Sequence, residues 1–128
     1  MENIIVLALM QLRGISRKTI LKSFSLHPNM ECSIETMKDV IERANIEDGK
    51  IKNYSDEEII DAINKAKKIV EESLKQDIKT ITYLDEDYPR RLRNISDPPT
   101  VLYYKGDVKC LNKMNAVAII GTREPTEY

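Results

Sequence analysis

Three consecutive residues near the end of the chain, Gly121, Thr122 and Arg123, have side chains suited to holding a phosphate group. Glycine lets a ligand come close to the main chain, threonine offers a hydroxyl, and an arginine guanidinium can make two parallel hydrogen bonds to a phosphate. They follow an apolar run, residues 115–120, typical of a strand buried on both faces. Ligands of open α/β sheets bind beyond the carboxyl ends of strands. These residues are compatible with an anion site, but on spacing alone a tight strand exit with a surface arginine is the better interpretation.

A second candidate phosphate contact lies in the turn between the first two apolar segments. It comprises Gly14, Ser16, Arg17 and Lys18. A glycine turn with free N–H groups at a helix N-terminus can hold a phosphate, and nearby cations would help. The turn resembles a helix-hairpin-helix DNA-binding turn, but Ser16 stands where a second glycine is typical. A plain turn between two helices, with surface cations, is the simpler alternative.

Basic residues are concentrated towards the C-terminal part of the sequence, although the net charge is only −1. Residues 88–123 hold seven basic residues and two acidic ones, whereas residues 31–61 hold four basic and ten acidic ones. Solvated helix faces would explain any single cluster. A basic surface that meets an anion is the functional interpretation.

Other reactive residues do not form a recognisable catalytic or metal-binding pattern. Cys32 and Cys110 are too few and too far apart for a disulfide framework or a metal site. His27 is the only histidine, and it precedes a proline in a turn. We therefore expect no catalytic residue, no metal and no cofactor. No apolar run approaches the roughly 18 to 20 residues that span a bilayer, so we expect no membrane partner and a cytoplasmic location.

The hydrophobic pattern predicts a helical half followed by a mixed half, with a boundary near Asp77. Helices are expected over residues 2–12, 17–25, 34–44 and 56–75. Ser16 and Ser33 are the expected N-caps of the second and third, and a capping box at Ser55 and Glu58 opens the last. Residues 45–53 are expected to form a loop. Strands are expected over residues 78–84, 100–104 and 115–120, with short helical segments at 90–95 and 108–113. This alternation favours parallel pairing. Tyr83, Tyr88, Tyr103 and Tyr104 could stack on bases.

The order of several motifs resembles the start of the DprA/Smf family of DNA-processing proteins. The specific part lies in residues 81–128: ITYLD at 81–85, Tyr88 with Pro89, IxDPP at 95–99, VLYYKG at 101–106 and AIIGTR at 118–123. The helical half, residues 1–76, is similar to the family's SAM-like leader. The resemblance implies a SAM-like, helix-hairpin-helix-like domain over 1–76, followed over 77–128 by the start of a Rossmann-like parallel-sheet domain.

The same resemblance implies a protein that binds single-stranded DNA and hands it to a RecA-type recombinase during natural transformation. The family's phosphate-site pattern adds Thr126 and Tyr128 to Gly121, Thr122 and Arg123, and the glycine that should close it would follow the last residue. An unfinished sheet is expected to self-associate through its open edges. Two other function classes stay open: a nucleotide-processing enzyme of the lysine-decarboxylase-like group, and a helical protein-interaction module.

Overall fold

Four helices precede a small sheet in this protein. The structure, a computed structural model, describes residues 4–26, 31–49, 53–113, 117 and 119–124. The helices are α1 (Ile4–Met10), α2 (Arg17–Leu26), α3 (Ile34–Asp48), α4 (Asp56–Lys75) and the one-turn α5 (Arg90–Arg93); the strands are β1 (Lys79–Thr82) and β2 (Val101–Tyr104), and a 3₁₀ helix spans Val108–Asn112.

Helix α1 lies in the centre of the helical core. Every residue from Ile5 to Leu9 is buried, which agrees with the uninterrupted apolar run in the sequence. It contacts α2 and, most extensively, α4. The turn after α1 contains Gly14 at φ +92°, a left-handed conformation that residues with a Cβ rarely adopt.

Helix α3 has the predicted start but a later end. Ser33 is its N-cap, and its side chain accepts a hydrogen bond from the N–H of Thr36 at 3.2 Å. The helix continues to Asp48, so the loop predicted from residue 45 is wrong for residues 45–48. Gly49 ends the helix in the left-handed region at φ +64°, and its N–H donates to the Asn45 carbonyl. Glycine supplies this termination, whereas the polar residues before it remain helical.

Helix α4 agrees with the prediction at both ends. Ser55 Oγ accepts from the Glu58 N–H at 3.2 Å, and Glu58 Oε1 accepts from the Ser55 N–H at 3.4 Å, which is the reciprocal pair of a capping box. One face of the helix is buried in the helical core, through Ile59, Ala62, Ile63 and Ala66.

The two strands form an antiparallel pair, with Ile81 opposite Leu102 and Thr82 opposite Val101. The predicted parallel pairing is therefore wrong for these strands. A parallel pair needs a crossover that returns the chain to the starting end of the sheet, usually by a helix. Helix α5 has four residues, which give about 6 Å of rise. Since a four-residue strand is about 13 Å long, α5 is too short to return the chain along the whole strand.

The predicted third strand lies partly outside the described residues. Within it, Val117, Ile119 and Ile120 are described; none of them belongs to a strand, and they are 90%, 95% and 93% exposed. The sheet has two strands in the part of the chain that the structure describes. The structure thus combines helices with a small sheet, and the SAM-like and Rossmann-like assignments remain expectations.

A second, smaller core supports the sheet. Ile81, Tyr88 and Val108 are buried there, and Leu92, Leu102 and Tyr104 pack against them. Leu84 and Val101 pack against the helical core instead, and Tyr83 packs against both cores. The sheet and the helices therefore share apolar contacts, while the domain boundary near Asp77 stays a prediction. None of the helices described is both long and apolar enough to span a bilayer.

Candidate nucleic-acid interface

Gly121, Thr122 and Arg123 all lie exposed on the surface. Thr122 Oγ1 accepts a hydrogen bond from the N–H of Glu124 at 3.3 Å. A Cβ added to Gly121 would meet no atom within 4 Å, and Gly121 is not among the positive-φ glycines of the described chain. Neither crowding nor backbone conformation in the described residues therefore requires glycine here. Thr126 and Tyr128 lie outside the described residues.

The second candidate contact is built into the start of α2. Ser16 Oγ accepts from the Thr19 N–H at 3.2 Å, which confirms Ser16 as the cap of this helix, and it lies 2.9 Å from the Thr19 hydroxyl. Arg17 pairs with Asp97 at 2.5 Å. Lys18 is exposed. Two of the four residues proposed for this contact thus already have partners within the protein.

The loop that contains Asp97 connects the sheet to the helical hairpin formed by α1, α2 and the turn between them. Beyond the Arg17–Asp97 pair, the Thr100 hydroxyl donates to the Met10 sulfur at 3.1 Å. The Tyr88 hydroxyl donates to the Pro99 carbonyl at 2.6 Å from the opposite side. Residues 97–100 are therefore held between the hairpin and the small core.

Two arginines of α5 make structural contacts. Arg91 donates to the carbonyls of Leu111 at 3.1 Å and Lys113 at 2.6 Å, at the end of the 3₁₀ helix. Arg93 donates to the Asp85 carbonyl at 2.7 Å, and its guanidinium lies over the rings of Tyr83 and Tyr88, 4.7 and 5.1 Å from the ring centroids. Part of the basic excess seen in the sequence therefore holds the fold together.

Three further cations surround a surface groove of about 510 Å³. Its lining residues are Glu86, Asp87, Arg90, Lys109, Asn112 and Lys113. Within the described ranges, no ion pair joins Arg90, Lys109 or Lys113 to an acidic group. By contrast, Arg17, Lys38, Arg43, Lys65 and Lys68 are all paired with carboxylates.

The tyrosines differ in what they can contact. Tyr88 is fully buried, so the predicted stacking of this ring on a base is wrong. Burial raises the pKa of the Tyr88 hydroxyl; Arg93 lowers this pKa in part, Tyr83 raises it further, and Arg17 lowers it. Tyr103 is 52% exposed, whereas Tyr104 packs on the small core. Of this neighbouring pair one is core, as the alternation of a strand predicts.

Asp85 has a structural role that the sequence did not reveal. Its carboxylate accepts from the Thr82 N–H at 2.6 Å and from the Thr82 hydroxyl at 3.0 Å, and so holds the turn after β1. In the described residues, no group of three or more His, Cys, Asp or Glu side chains could hold a metal ion. His27 lies outside them. Burial raises the pKa of the Cys32 thiol, partly opposed by Lys67.

The sequence did not predict that Arg90, Lys109 and Lys113 lie around one groove. Charge counting found the basic excess of residues 88–123 but could not separate Arg90 from Arg91 and Arg93. Asn112, an amide side chain between basic residues, is the sequence feature that could have indicated a contact between the 3₁₀ helix and α5. Its Oδ1 accepts from the Arg90 N–H at 2.8 Å, and its Nδ2 donates to the Asp87 carbonyl at 3.4 Å.

Comparison with known proteins points to DNA processing. The family described as DNA recombination-mediator protein A matches residues 79–128. A Bacillus subtilis protein named DNA processing protein DprA is 33% identical over 114 residues, which is 89% of this chain and 37% of the relative. Protein Smf of Synechocystis is 39% identical over 62 residues, which is 46% of this chain and 16% of the relative. No solved structure matches the chain significantly.

These matches relate the chain to proteins that are described as DNA-processing proteins and recombination mediators. The resemblance to the DprA/Smf family seen in the sequence is confirmed by these matches. It aligns with little more than a third of the length of the Bacillus relative.

Proposed function

We propose that this protein binds single-stranded DNA in the cytoplasm and passes it to a RecA-type recombinase during natural transformation. The observation that carries the proposal is the match of residues 79–128 to a family described as a DNA recombination mediator. That range includes Gly121, Thr122 and Arg123 and most of the basic excess. The proposed role is binding and delivery, without a catalytic step.

The surroundings of Gly121 support a ligand at this point of the chain. Neither crowding by the described residues nor a positive φ accounts for a glycine here. Close approach of a ligand to the main chain is a further reason for glycine. Thr122 and the guanidinium of Arg123 are exposed beside it. The proposed ligand is a phosphate of the DNA backbone, with Thr126 as an additional contact.

The proposal is tested by fluorescence anisotropy with a labelled oligothymidine at about 50 and about 200 mM salt. Binding should weaken steeply with salt because phosphate contacts release counterions. Arg123→Gln should weaken binding about tenfold, since a hydrogen bond to a charged group contributes about 1.5–3 kcal/mol. Arg43→Gln is the matched control, because Arg43 pairs with Asp39 on α3, outside the proposed interface.

Equal affinity of the Arg123→Gln and Arg43→Gln variants would contradict the assignment at Gly121–Arg123. Nucleotide turnover by a chain without oligothymidine affinity would instead support the nucleotide-processing alternative. The recombinase step is tested separately, by the rate at which a RecA-type protein assembles on oligothymidine with and without this chain. We expect faster assembly in its presence.

A further inference from the structure

Arg90, Lys109 and Lys113 lie around one groove although they come from two separate elements. Arg90 is the first residue of α5, Lys109 lies in the 3₁₀ helix, and Lys113 is the residue that follows it. Over the described ranges none of the three has a carboxylate partner, even though Glu86 and Asp87 line the same groove. Three unpaired cations at one concave site form a local positive field, which attracts anions.

Four hydrogen bonds hold the two walls of the groove at a defined spacing. One wall is α5 with the turn before it, and the other is the 3₁₀ helix with the residue that follows it. Asn112 bridges the Arg90 N–H and the Asp87 carbonyl, at 2.8 and 3.4 Å. Arg91 reaches the carbonyls of Leu111 and Lys113, at 3.1 and 2.6 Å. The 3₁₀ helix is itself capped by Asp107, whose carboxylate accepts from the Lys109 N–H at 3.0 Å. The backbone positions of the three cations are thus fixed before any ligand arrives, which lowers the entropic cost of binding.

Neighbouring arginines in α5 therefore have different roles. The Arg91 guanidinium joins the two walls through hydrogen bonds, and the Arg93 guanidinium stacks over the rings of Tyr83 and Tyr88. The Arg90 backbone N–H donates to Asn112 across the groove, and Arg90 is one of the residues that line the groove. The groove volume of about 510 Å³ falls within the roughly 300–1,000 Å³ typical of small-ligand sites.

We infer that this groove binds a phosphodiester of single-stranded DNA through Arg90, Lys109 and Lys113, as a second contact on the strand that Gly121–Arg123 engages. The inference rests on the proposed function for the identity of the strand. The site itself rests on the geometry of the groove. Glu86 and Asp87 oppose the anion and limit its affinity at this site.

The first test compares two charge-matched triple variants in the oligothymidine titration. Arg90→Gln with Lys109→Gln and Lys113→Gln should weaken binding at least tenfold. It should also reduce the slope of log affinity against log salt by about two, since each phosphate contact on a single strand contributes about 0.7 to that slope. The control carries Lys67→Gln, Lys68→Gln and Lys75→Gln on exposed positions of α4, and should keep the wild-type slope.

A gain-of-affinity variant guards against loss of folding as the explanation. Glu86→Gln with Asp87→Asn should tighten oligothymidine binding about two- to threefold, because it removes repulsion at the groove. Glu71→Gln with Glu72→Gln on α4 changes the net charge equally and should have a smaller effect. An equal gain in oligothymidine affinity for the two double variants would overturn the inference.

A third measurement separates a DNA phosphodiester from a free anion. Oligothymidine should shift the backbone amide resonances of residues 86–88, 90 and 109–113 at concentrations where inorganic phosphate of equal ionic strength does not. Equal shifts with inorganic phosphate would reduce the groove to a simple anion site and overturn the inference.

The outcomes distinguish the two proposals. Weakening by Arg123→Gln, with no effect of the groove triple variant, would overturn the groove and leave the proposed function in place. Weakening by the groove triple variant alone would support the groove and overturn the assignment at Gly121–Arg123. No oligothymidine binding by the wild-type chain at low salt would overturn both.

Discussion

Individual side chains in the C-terminal half divide into those that hold the fold and those that face solvent. Tyr88 belongs to the first group: it is fully buried, and its hydroxyl reaches the Pro99 carbonyl at 2.6 Å. Its ring lies edge-on to Tyr83, with 5.3 Å between the ring centroids, and Arg93 covers both rings. The sequence does not distinguish Tyr88 from a stacking residue, because an aromatic residue near a basic one suits either a core or a stacking surface.

The buried hydroxyl of Tyr88 should make stability sensitive to alkaline pH. Burial raises its pKa in the folded state, so folding favours the neutral phenol. This contribution is complete below the unfolded pKa of about 10 and is lost as pH rises through the higher folded value. Wild-type unfolding midpoints in urea should therefore fall more steeply above pH about 10 than those of Tyr88→Phe.

At neutral pH, Tyr88→Phe should lower the free energy of unfolding by about 1–2 kcal/mol, since it leaves the Pro99 carbonyl without its donor. Tyr103→Phe is the control, because Tyr103 is largely exposed. Identical alkaline slopes for wild type and Tyr88→Phe would show that Tyr88 ionisation is not coupled to folding.

At the scale of elements, the helices follow local signals closely. The ends of α3 and α4 are set by Ser33, Gly49 and Ser55, whose side chains or backbone conformations act within a few residues. Such signals are readable in sequence because their partners lie three or four positions away. Strand pairing has no comparable local signal, which is why the antiparallel arrangement of β1 and β2 was not predicted.

Removal of the α4 cap tests how much this local signal stabilises the protein. Ser55→Ala deletes the acceptor of the Glu58 N–H and should lower the free energy of unfolding by about 0.5–2 kcal/mol, measured by urea denaturation. Asn64→Ala, at an exposed position within the same helix, should be neutral or slightly stabilising because alanine has the higher helix propensity. A Ser55→Ala variant as stable as wild type would argue against the capping box as a stabilising contact.

At the scale of the whole molecule, the helical and sheet parts are joined by apolar and polar contacts. Tyr83, Leu84 and Val101 pack on the helical core. The Arg17–Asp97 pair adds little, since its side chains are 48% and 56% exposed and exposed pairs typically contribute 0.2–1 kcal/mol. The apolar contacts therefore dominate the coupling between the two parts.

Exposed apolar residues after the 3₁₀ helix lead to a prediction about assembly. Val117, Ile119 and Ile120 are almost fully exposed, and contiguous exposed apolar surface favours association. We expect the chain to self-associate as its concentration rises, as measured by size-exclusion chromatography with light scattering. Replacing all three residues with serine should shift the distribution towards monomer.

Ile46→Ser provides the control for self-association, because Ile46 is a single exposed apolar residue on α3. It should leave the distribution nearly unchanged. A wild-type chain that stays monomeric at every concentration would contradict the prediction. Self-association that persists in the triple serine variant would show that it depends on another segment.

The sequence alone predicted α1 to α4 apart from the last turn of α3, the caps at Ser33 and Ser55, and the resemblance to the DprA/Smf family, because these depend on periodicity, short-range hydrogen bonds and motif order. It also located the basic excess. Only the tertiary structure decided the antiparallel pairing of β1 with β2 and the burial of Tyr88. It alone separated the structural Arg91 and Arg93 from Arg90 in the groove. Many of these features depend on contacts between residues far apart in sequence, from 11 positions for Tyr88 with Pro99 to 90 positions for Met10 with Thr100. No local pattern encodes which distant partner a side chain will meet.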